Sequence, residues 1–296
     1  MTQPESRTAT LWGMAAMTGG ALLLATNDAI TKWLVVDFHA GEIMFYRGIW
    51  AFPVLGYFVW RNGGLKTLRL NQPGAIWGRG LVAFVVSILV TVSFINLPLA
   101  EAAALIFMSP VFLTAMAPIF LKEHVGFWRW TAVLLGFAGA VVMIQPGTDA
   151  FNAWVVFPLA AATVSALRDI VTRRMGTSDS AATVMVYTSI VAVVGGAVSL
   201  PFGDNFGSNW PSLEQWGLFA LAGFFVTMAH FLIVVSLQLA AGAVVSPFKY
   251  LSLVWSAALG FMVWGDLPGA VKVLGAVMVV ASGLLIVYRE TRGRGA

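Results

Sequence analysis

The sequence contains no cysteine. Disulfides, thiolate metal sites, iron–sulfur clusters and cysteine nucleophiles are therefore excluded. Charge is scarce as well: 10% of the 296 residues are Asp, Glu, Lys or Arg, where a soluble domain carries about a quarter. The three histidines have no cluster of ligand-type residues around them, so no metal is expected. The Gly-x-x-x-x-Gly-Lys-Ser/Thr phosphate loop, the Gly-x-Ser-x-Gly elbow and the His-Glu-x-x-His zinc helix are all missing. Those gaps argue against a self-contained ATP-driven pump, a serine hydrolase and a zinc protease. The acids are scattered rather than paired as a catalytic dyad. No cofactor is expected, and the chain does not read as an enzyme.

Hydrocarbon is what the chain has in excess, with 59% of residues apolar. A water-soluble fold of this size could not hide that much, because much of any folded surface faces water. The expected class is an all-α integral membrane protein. A span needs about 20 mostly apolar residues. Ten such runs are present, at 13–36, 42–60, 75–97, 100–121, 127–146, 153–174, 181–200, 213–238, 242–264 and 269–288. The connections are short and rich in Gly, Pro, Asn and Asp. The first run is too long, and too interrupted by Asn27 and Asp28, to read as a cleaved signal peptide.

Lys and Arg placement predicts orientation. With the amino terminus in the cytoplasm, 13 of the 17 basic residues, Arg79 and Arg168 among them, fall at cytoplasmic ends as orientation anchors, while Asp37, Glu42, Glu101, Asp149, Asp204, Glu214 and Asp266 fall at outer ends. Both termini are then cytoplasmic. The net charge of +4 reflects this topology and not a nucleic-acid partner.

The two halves resemble each other. At a shift of 141 residues, Asp28-Ala29-Ile30-Thr31-Lys32 meets Asp169-Ile170-Val171-Thr172-Arg173, and 25–51 holds eight identities in 27 pairs. The expected units are 1–147 and 148–296, five spans each. Five is odd, so the second copy enters the membrane from the opposite side. Inverted repeats of this kind mark secondary transporters, with a site near the midplane.

Three motifs add to this pattern: Tyr46-Arg47-Gly48, Leu99-Ala100-Glu101-Ala102-Ala103-Ala104, and Met108-Ser109-Pro110-Val111-Phe112 followed by Lys122-Glu123. With them the chain resembles the drug/metabolite transporter superfamily in its ten-helix EamA branch. The whole-chain likeness is nearest to the YddG type, bacterial exporters of aromatic and other neutral amino acids. The resemblance implies a basket-like bundle around a central cavity, in a bacterial inner membrane, and export from the cytoplasm.

Polar groups inside spans cost roughly 2.5–3.5 kcal/mol each on insertion scales, so they need an interior or a role. Lys249 lies about 10 Å from the nearer end of its span and shares a helix face with Ser246, Tyr250 and Ser256. It reads either as a cation for a substrate carboxylate or as a lysine snorkelling to the headgroups. His230 reads as a proton-sensitive group or as a neutral inter-helix hydrogen bond. The pairs Asp28/Lys32 and Asp169/Arg173 have the favourable acid-first i, i+4 spacing. They read as symmetry-related gates or as self-neutralised charge. Arg47 reads as a substrate or gate residue, or as a partner of Glu42 or Asp28. Pro110 and Pro247 interrupt helical hydrogen bonding and are candidate hinges. Phe107, Met108, Tyr250 and Trp255 offer a wall for an apolar side chain, or ordinary packing. Ser109, Ser246 and Asn27 offer acceptors for an ammonium.

The expected function is a secondary transporter exporting amino acids by alternating access. The partners expected are an amino-acid substrate and membrane lipid, with protons as an open coupling ion. Export of another metabolite, such as a nucleoside or a drug, is the alternative. A membrane-embedded enzyme and a scaffold are the remote ones.

Overall fold

Lipid offers no hydrogen-bond partners, so a chain in it must satisfy its backbone internally, and a helix does so within one segment. The computed structural model is all-helical over the residues it describes, which are all but 1–6, 62, 123–124, 176–178, 180, 203–209, 241 and 293–296. The first half comprises α1 (Arg7–Leu34), α2 (Ala40–Arg61), α3 (Pro73–Asn96), α4 (Leu99–Ile106), α5 (Ser109–Phe120) and α6 (Phe127–Ile144). The second comprises α7 (Val156–Met175), α8 (Ala181–Ser199), α9 (Leu213–Leu239), α10 (Gly242–Lys249), α11 (Leu251–Trp264) and α12 (Ala270–Arg292). Among the described residues, nine stretches are long and apolar enough to cross a membrane, with 99–120 counted as one. The protein is a multi-pass membrane protein. Glu123, His124 and Asp204 lie outside the described residues, as do the side chains of Arg173 and Ser246.

The runs expected at 100–121 and 242–264 are each two helices. Pro110 has no N–H for the Ile106 carbonyl, and the chain makes a tight turn at Phe107–Met108, where Met108 N–H donates to Leu105 O at 3.0 Å. Pro110 then opens α5, a position where its missing N–H costs nothing. In the second half the break falls at Tyr250, three residues after Pro247, whose carbonyl accepts from Tyr250 N–H at 3.1 Å. The breaks are equivalent. Adding 143 carries α4 onto α10, both eight residues long, and Phe107 onto Tyr250.

Packing between the halves pairs most of the larger contacts with a mate. α1 lies along α9, and α3 lies along α7. α2 packs on α9, and α3 on α8. α1 touches α10 and α11, and α7 touches α4 and α5. α2 meets α8, and α6 meets α12. Small residues bring these helices close. A Cβ on Gly139 of α6 would lie 2.8 Å from the Gly275 carbonyl of α12, and one on Gly196 of α8 would lie 2.8 Å from the Gly41 carbonyl of α2. Hydroxyls cross the gaps: Ser282 donates to Ala132 O and Ser236 to Gly13 O, both at 2.6 Å. With no hydrophobic drive between helices in lipid, such close backbone approach and cross-helix hydrogen bonds are what hold a bundle together.

The two ends of the bundle differ in charge. One end joins residues 61, 63–73, 120, 174, 179 and 183. There Asn71 N–H donates to Asp179, Thr183 to Thr67 O, and Arg174 to Phe120 O. It carries Arg61, Lys66, Arg69 and Lys122 and is the basic end. The other end joins 32–37, 96–101, 152, 215 and 264–272. There Gln215 donates to Asp37 at 3.0 Å and Asn152 to Asn96 O at 3.4 Å. It carries Asp37, Asp149, Glu214 and Asp266 and is the acidic end. Trp12, Trp60, Trp77, Trp128 and Trp210 are exposed near helix ends, as an interfacial belt requires. Trp216 departs from that pattern and packs edge-on to Tyr46 at 5.1 Å.

Candidate functional site

The two helix breaks meet. The rings of Phe107 and Tyr250 lie 5.2 Å apart, so the equivalent residues of the two halves touch where both backbones depart from helix. Tyr250 is buried, and its hydroxyl packs toward Gly283 of α12 with no hydrogen-bond partner among the described residues. The Ser252 hydroxyl and the Trp255 indole N–H are buried without partners too. Three unmet polar atoms within six residues, 250–255, are costly at roughly 1–3 kcal/mol each. Met108 is fully buried, at 0%, within the apolar core. It backs the break and does not line an open space. Ser109 and Pro110 are half-buried beside it.

Toward the basic end from these breaks, four helices bring charged side chains to one level. Arg79 is six residues into α3, Lys249 is seven into α10, and Arg168 is seven before the end of α7. Each is therefore about 10 Å from its helix end. His230 is nine residues before the end of α9. His230 lies within electrostatic reach of Arg168, Lys249 and Arg79, and Lys249 within reach of Asp169. Yet Lys249 and His230 are exposed. Side chains that converge in mid-bundle and remain accessible are candidates for the lining of a binding site. Lys249 makes no hydrogen bond or ion pair with any described residue. His230 Nδ1 contacts only the Val226 carbonyl of its own helix, at 2.6 Å.

Toward the acidic end lies a second cluster. Asn27 is buried and donates to Asp28 at 3.0 Å. Arg47 reaches Asn27 Oδ1 and Thr31 Oγ1, each at 3.4 Å, and Asp28 is in its electrostatic reach. Of the two partners expected for Arg47, neither forms an ion pair with it among the described residues, and Asp28 acts on it through space. Glu42 instead accepts from His39 N–H at 2.8 Å and caps α2. Asn27 is committed on both sides, so its oxygen is not idle for an ammonium.

The i, i+4 ion pair expected between Asp28 and Lys32 is not formed. Lys32 donates to Leu97 O at 2.6 Å, lies over Trp264 at 5.4 Å from the ring centroid, and neighbours Asp266. A carbonyl and an indole face from other helices outcompete Asp28, which turns to Asn27 and Arg47. Asp169 meets Arg168 at 2.9 Å, and the side chain of Arg173, its expected i, i+4 partner, lies outside the described residues.

Lys32 is part of a seal. Trp33 meets Trp264 at 6.3 Å, and Glu101, 4% exposed, holds Lys272 of α12 at 2.6 Å. Leu97 and Leu99 beneath them are 2% and 0% exposed. The acidic end is closed across both halves by these contacts. A groove of about 630 Å³ lies apart from this site, between α2 and α9. Its floor is the Phe58–Phe231 stack at 4.3 Å, and it is an apolar recess with Arg61 at its rim.

Sequence reasoning took Arg79 and Arg168 as orientation anchors and did not place them in the site. Their depth of six and seven residues inside a helix was the available signal. It did not single out Lys272, whose partner is 171 residues away.

A profile described as "EamA-like transporter family" matches the chain twice, over residues 11–145 and 152–288. The chain is 28% identical over 268 residues to the S-adenosylmethionine uptake transporter of Rickettsia felis, covering 90% of each. It is 27% identical over 289 residues to a riboflavin transporter of Rhizobium johnstonii, covering 95% of this chain and 91% of that one. It is 23% identical over 259 residues to the pseudopaline exporter CntI of Pseudomonas aeruginosa, covering 86% and 88%. A solved structure superposes with a TM-score of 0.65 at 19% identity, covering 96% of this chain and 99% of that one, which is a likeness of fold alone. None of these relatives is named for amino-acid export.

Proposed function

The chain belongs to the EamA-like transporter family, and within it we propose a secondary transporter that moves a small carboxylate-bearing organic metabolite by alternating access. Two units, 1–147 and 148–296, are related by inverted topology. The mated contacts between them support this, as does the placement of Asp37, between α1 and α2, at the acidic end and of Asp179, between α7 and α8, at the basic end. α10 and α11 together make the tenth crossing. The basic end faces the cytoplasm of a bacterial inner membrane, by the bias of Lys and Arg.

The observation that carries the reading is Lys249: an unpaired, solvent-reachable ammonium in mid-bundle, beside the junction of two broken helices. A cation is tolerated there when a cavity hydrates it and a ligand meets it. The Phe107–Tyr250 pair beside it offers a flat apolar face, and the unmet donors of Tyr250, Ser252 and Trp255 offer hydrogen bonds. A substrate with a carboxylate at one end and a ring or apolar chain at the other fits that set. Neutral amino acids are the smallest members of the class. S-adenosylmethionine has an amino-acid head and a heteroaromatic ring, and riboflavin has a ring without a carboxylate. Asp28, Lys32 and Arg47 act at the acidic-end gate, and Asp169 with Arg173 at the basic-end gate. Pro110 and Pro247 let the half-helices pivot. Direction follows the gradients, since relatives of this fold carry the names of uptake and of export.

Counterflow in proteoliposomes tests the class. Vesicles loaded with phenylsuccinate, phenylalanine or riboflavin are presented with the same compound labelled. Accumulation is expected for a ring compound bearing a carboxylate, phenylsuccinate or phenylalanine, and weak for riboflavin. Exchange of riboflavin alone would overturn the role of the carboxylate.

A further inference from the structure

Three cations and one carboxylate share the cavity level. Arg79 is held only by hydroxyls, those of Thr172 at 2.8 Å and Thr188 at 3.0 Å. Arg168 is held by Asp169 at 2.9 Å, and Lys249 by nothing among the described residues. Each of Arg79, Arg168 and Lys249 acts electrostatically on His230, and Asp169 acts on Arg79 and Lys249. These are the charged groups of α3, α7 and α10 at this level, and His230 is the one titratable group that α9 brings there. Among the described residues, two positive charges are left without a counter-charge in a site walled by helices. They come from both halves and from three helices, so no single helix places them there as an end anchor. Each sits about 10 Å inside its helix end, too deep for a headgroup contact to explain all three.

From this surplus we infer that the transported substrate carries two negative charges, with Arg79 and Arg168 as binding residues beside Lys249. The inference rests on the proposed transport function and refines its substrate class from one anionic group to two negative charges. A dicarboxylate matches the spread of the cations. A phosphate monoester has the same charge on one centre, and the guanidinium fork suits either group. Cationic metabolites are disfavoured by the same field. This sets the chain apart in chemistry from relatives named for S-adenosylmethionine uptake, whose substrate bears a sulfonium.

The absence of native cysteine makes the field measurable. His230→Cys in the full chain, purified in lipid nanodiscs, is reacted with thiol reagents of equal size bearing a sulfonate or a trimethylammonium. Rates are divided by those of a free thiol. The anionic reagent is expected to be favoured by about tenfold or more, and Arg79→Gln with Arg168→Gln is expected to remove most of that bias. Millimolar succinate, inorganic phosphate, 1,4-butanediol and 1,4-diaminobutane are then offered as protectants at constant ionic strength. Protection by succinate marks a dicarboxylate, protection by phosphate marks a phosphate monoester, and neither the diol nor the diamine should protect. A preference for the cationic reagent, a bias that survives both Arg substitutions, protection by the diamine, or protection by neither anion would overturn the dianion inference and leave the transport reading standing. Reaction with neither reagent, repeated with Phe107→Cys as a second reporter, would overturn the cavity and both readings with it.

Discussion

Lys249→Met is expected to raise the half-saturation concentration for counterflow by about tenfold to a hundredfold, with little change in protein yield. The ammonium has no partner among the described residues, so removing it breaks no internal contact and leaves no carboxylate stranded. Burying a methyl thioether there is easier than burying a charge. What is lost is the charge-assisted hydrogen bond to substrate, about 1.5–3 kcal/mol. Lys249→Arg should recover part of the affinity, because charge is kept while reach and shape change. A snorkelling lysine would give a different result: Met would transport as the parent does, and the site would have to be sought elsewhere.

Glu101→Ala is expected to act at the opposite end and on both stability and gating. Its carboxylate is 4% exposed and meets Lys272, itself 24% exposed, at 2.6 Å. Removing one partner of a fully buried pair costs roughly 3–5 kcal/mol, and the partial exposure of Lys272 reduces this to about 1–3 kcal/mol. Melting temperature should fall by several degrees. The pair also ties α4 to α12 across the two halves, so its loss should loosen the acidic-end seal. Thr31→Cys, at a position now 2% exposed, should then label faster from the acidic side. The exchanged pair Glu101→Lys with Lys272→Glu should restore much of both properties, and Glu101→Ala with Lys272→Met should restore stability more than gating. Unchanged melting and labelling in Glu101→Ala would remove the pair from the gate.

Hydropathy and the Asp-x-x-Thr-[Lys/Arg] match were enough to read the helical class and the two-fold repetition, because lipid imposes both on the sequence directly. Lys249 and Tyr250 stood out for the same reason: a charge in a hydrocarbon run is costly and therefore visible. Other features depended on distance in space. Lys32 was read with Asp28, four residues away, and found Leu97 O and Trp264 instead. Glu101 found Lys272. Arg79 and Arg168 were hidden by the very rule that oriented the chain, since a basic residue near a basic end raises no question until its depth is known. The helix breaks were marked by Pro110 and Pro247, but the second falls at Tyr250 because the turn closes on the Pro247 carbonyl. The two breaks align only at a shift of 143, where the first helices align at 141.

Sidedness of single cysteines tests the central claim most directly, that two oppositely inserted halves enclose one cavity. Leu65, 81% exposed, and Trp210, 77% exposed, lie in the second connection of each half. Leu65→Cys and Trp210→Cys are compared in sealed cells with an impermeant thiol reagent, before and after permeabilisation. Inverted halves place the two on opposite faces, so Trp210→Cys labels from outside and Leu65→Cys only once the membrane is opened. Labelling of both from the same face would contradict the inversion, and with it the cavity that opens to one side at a time.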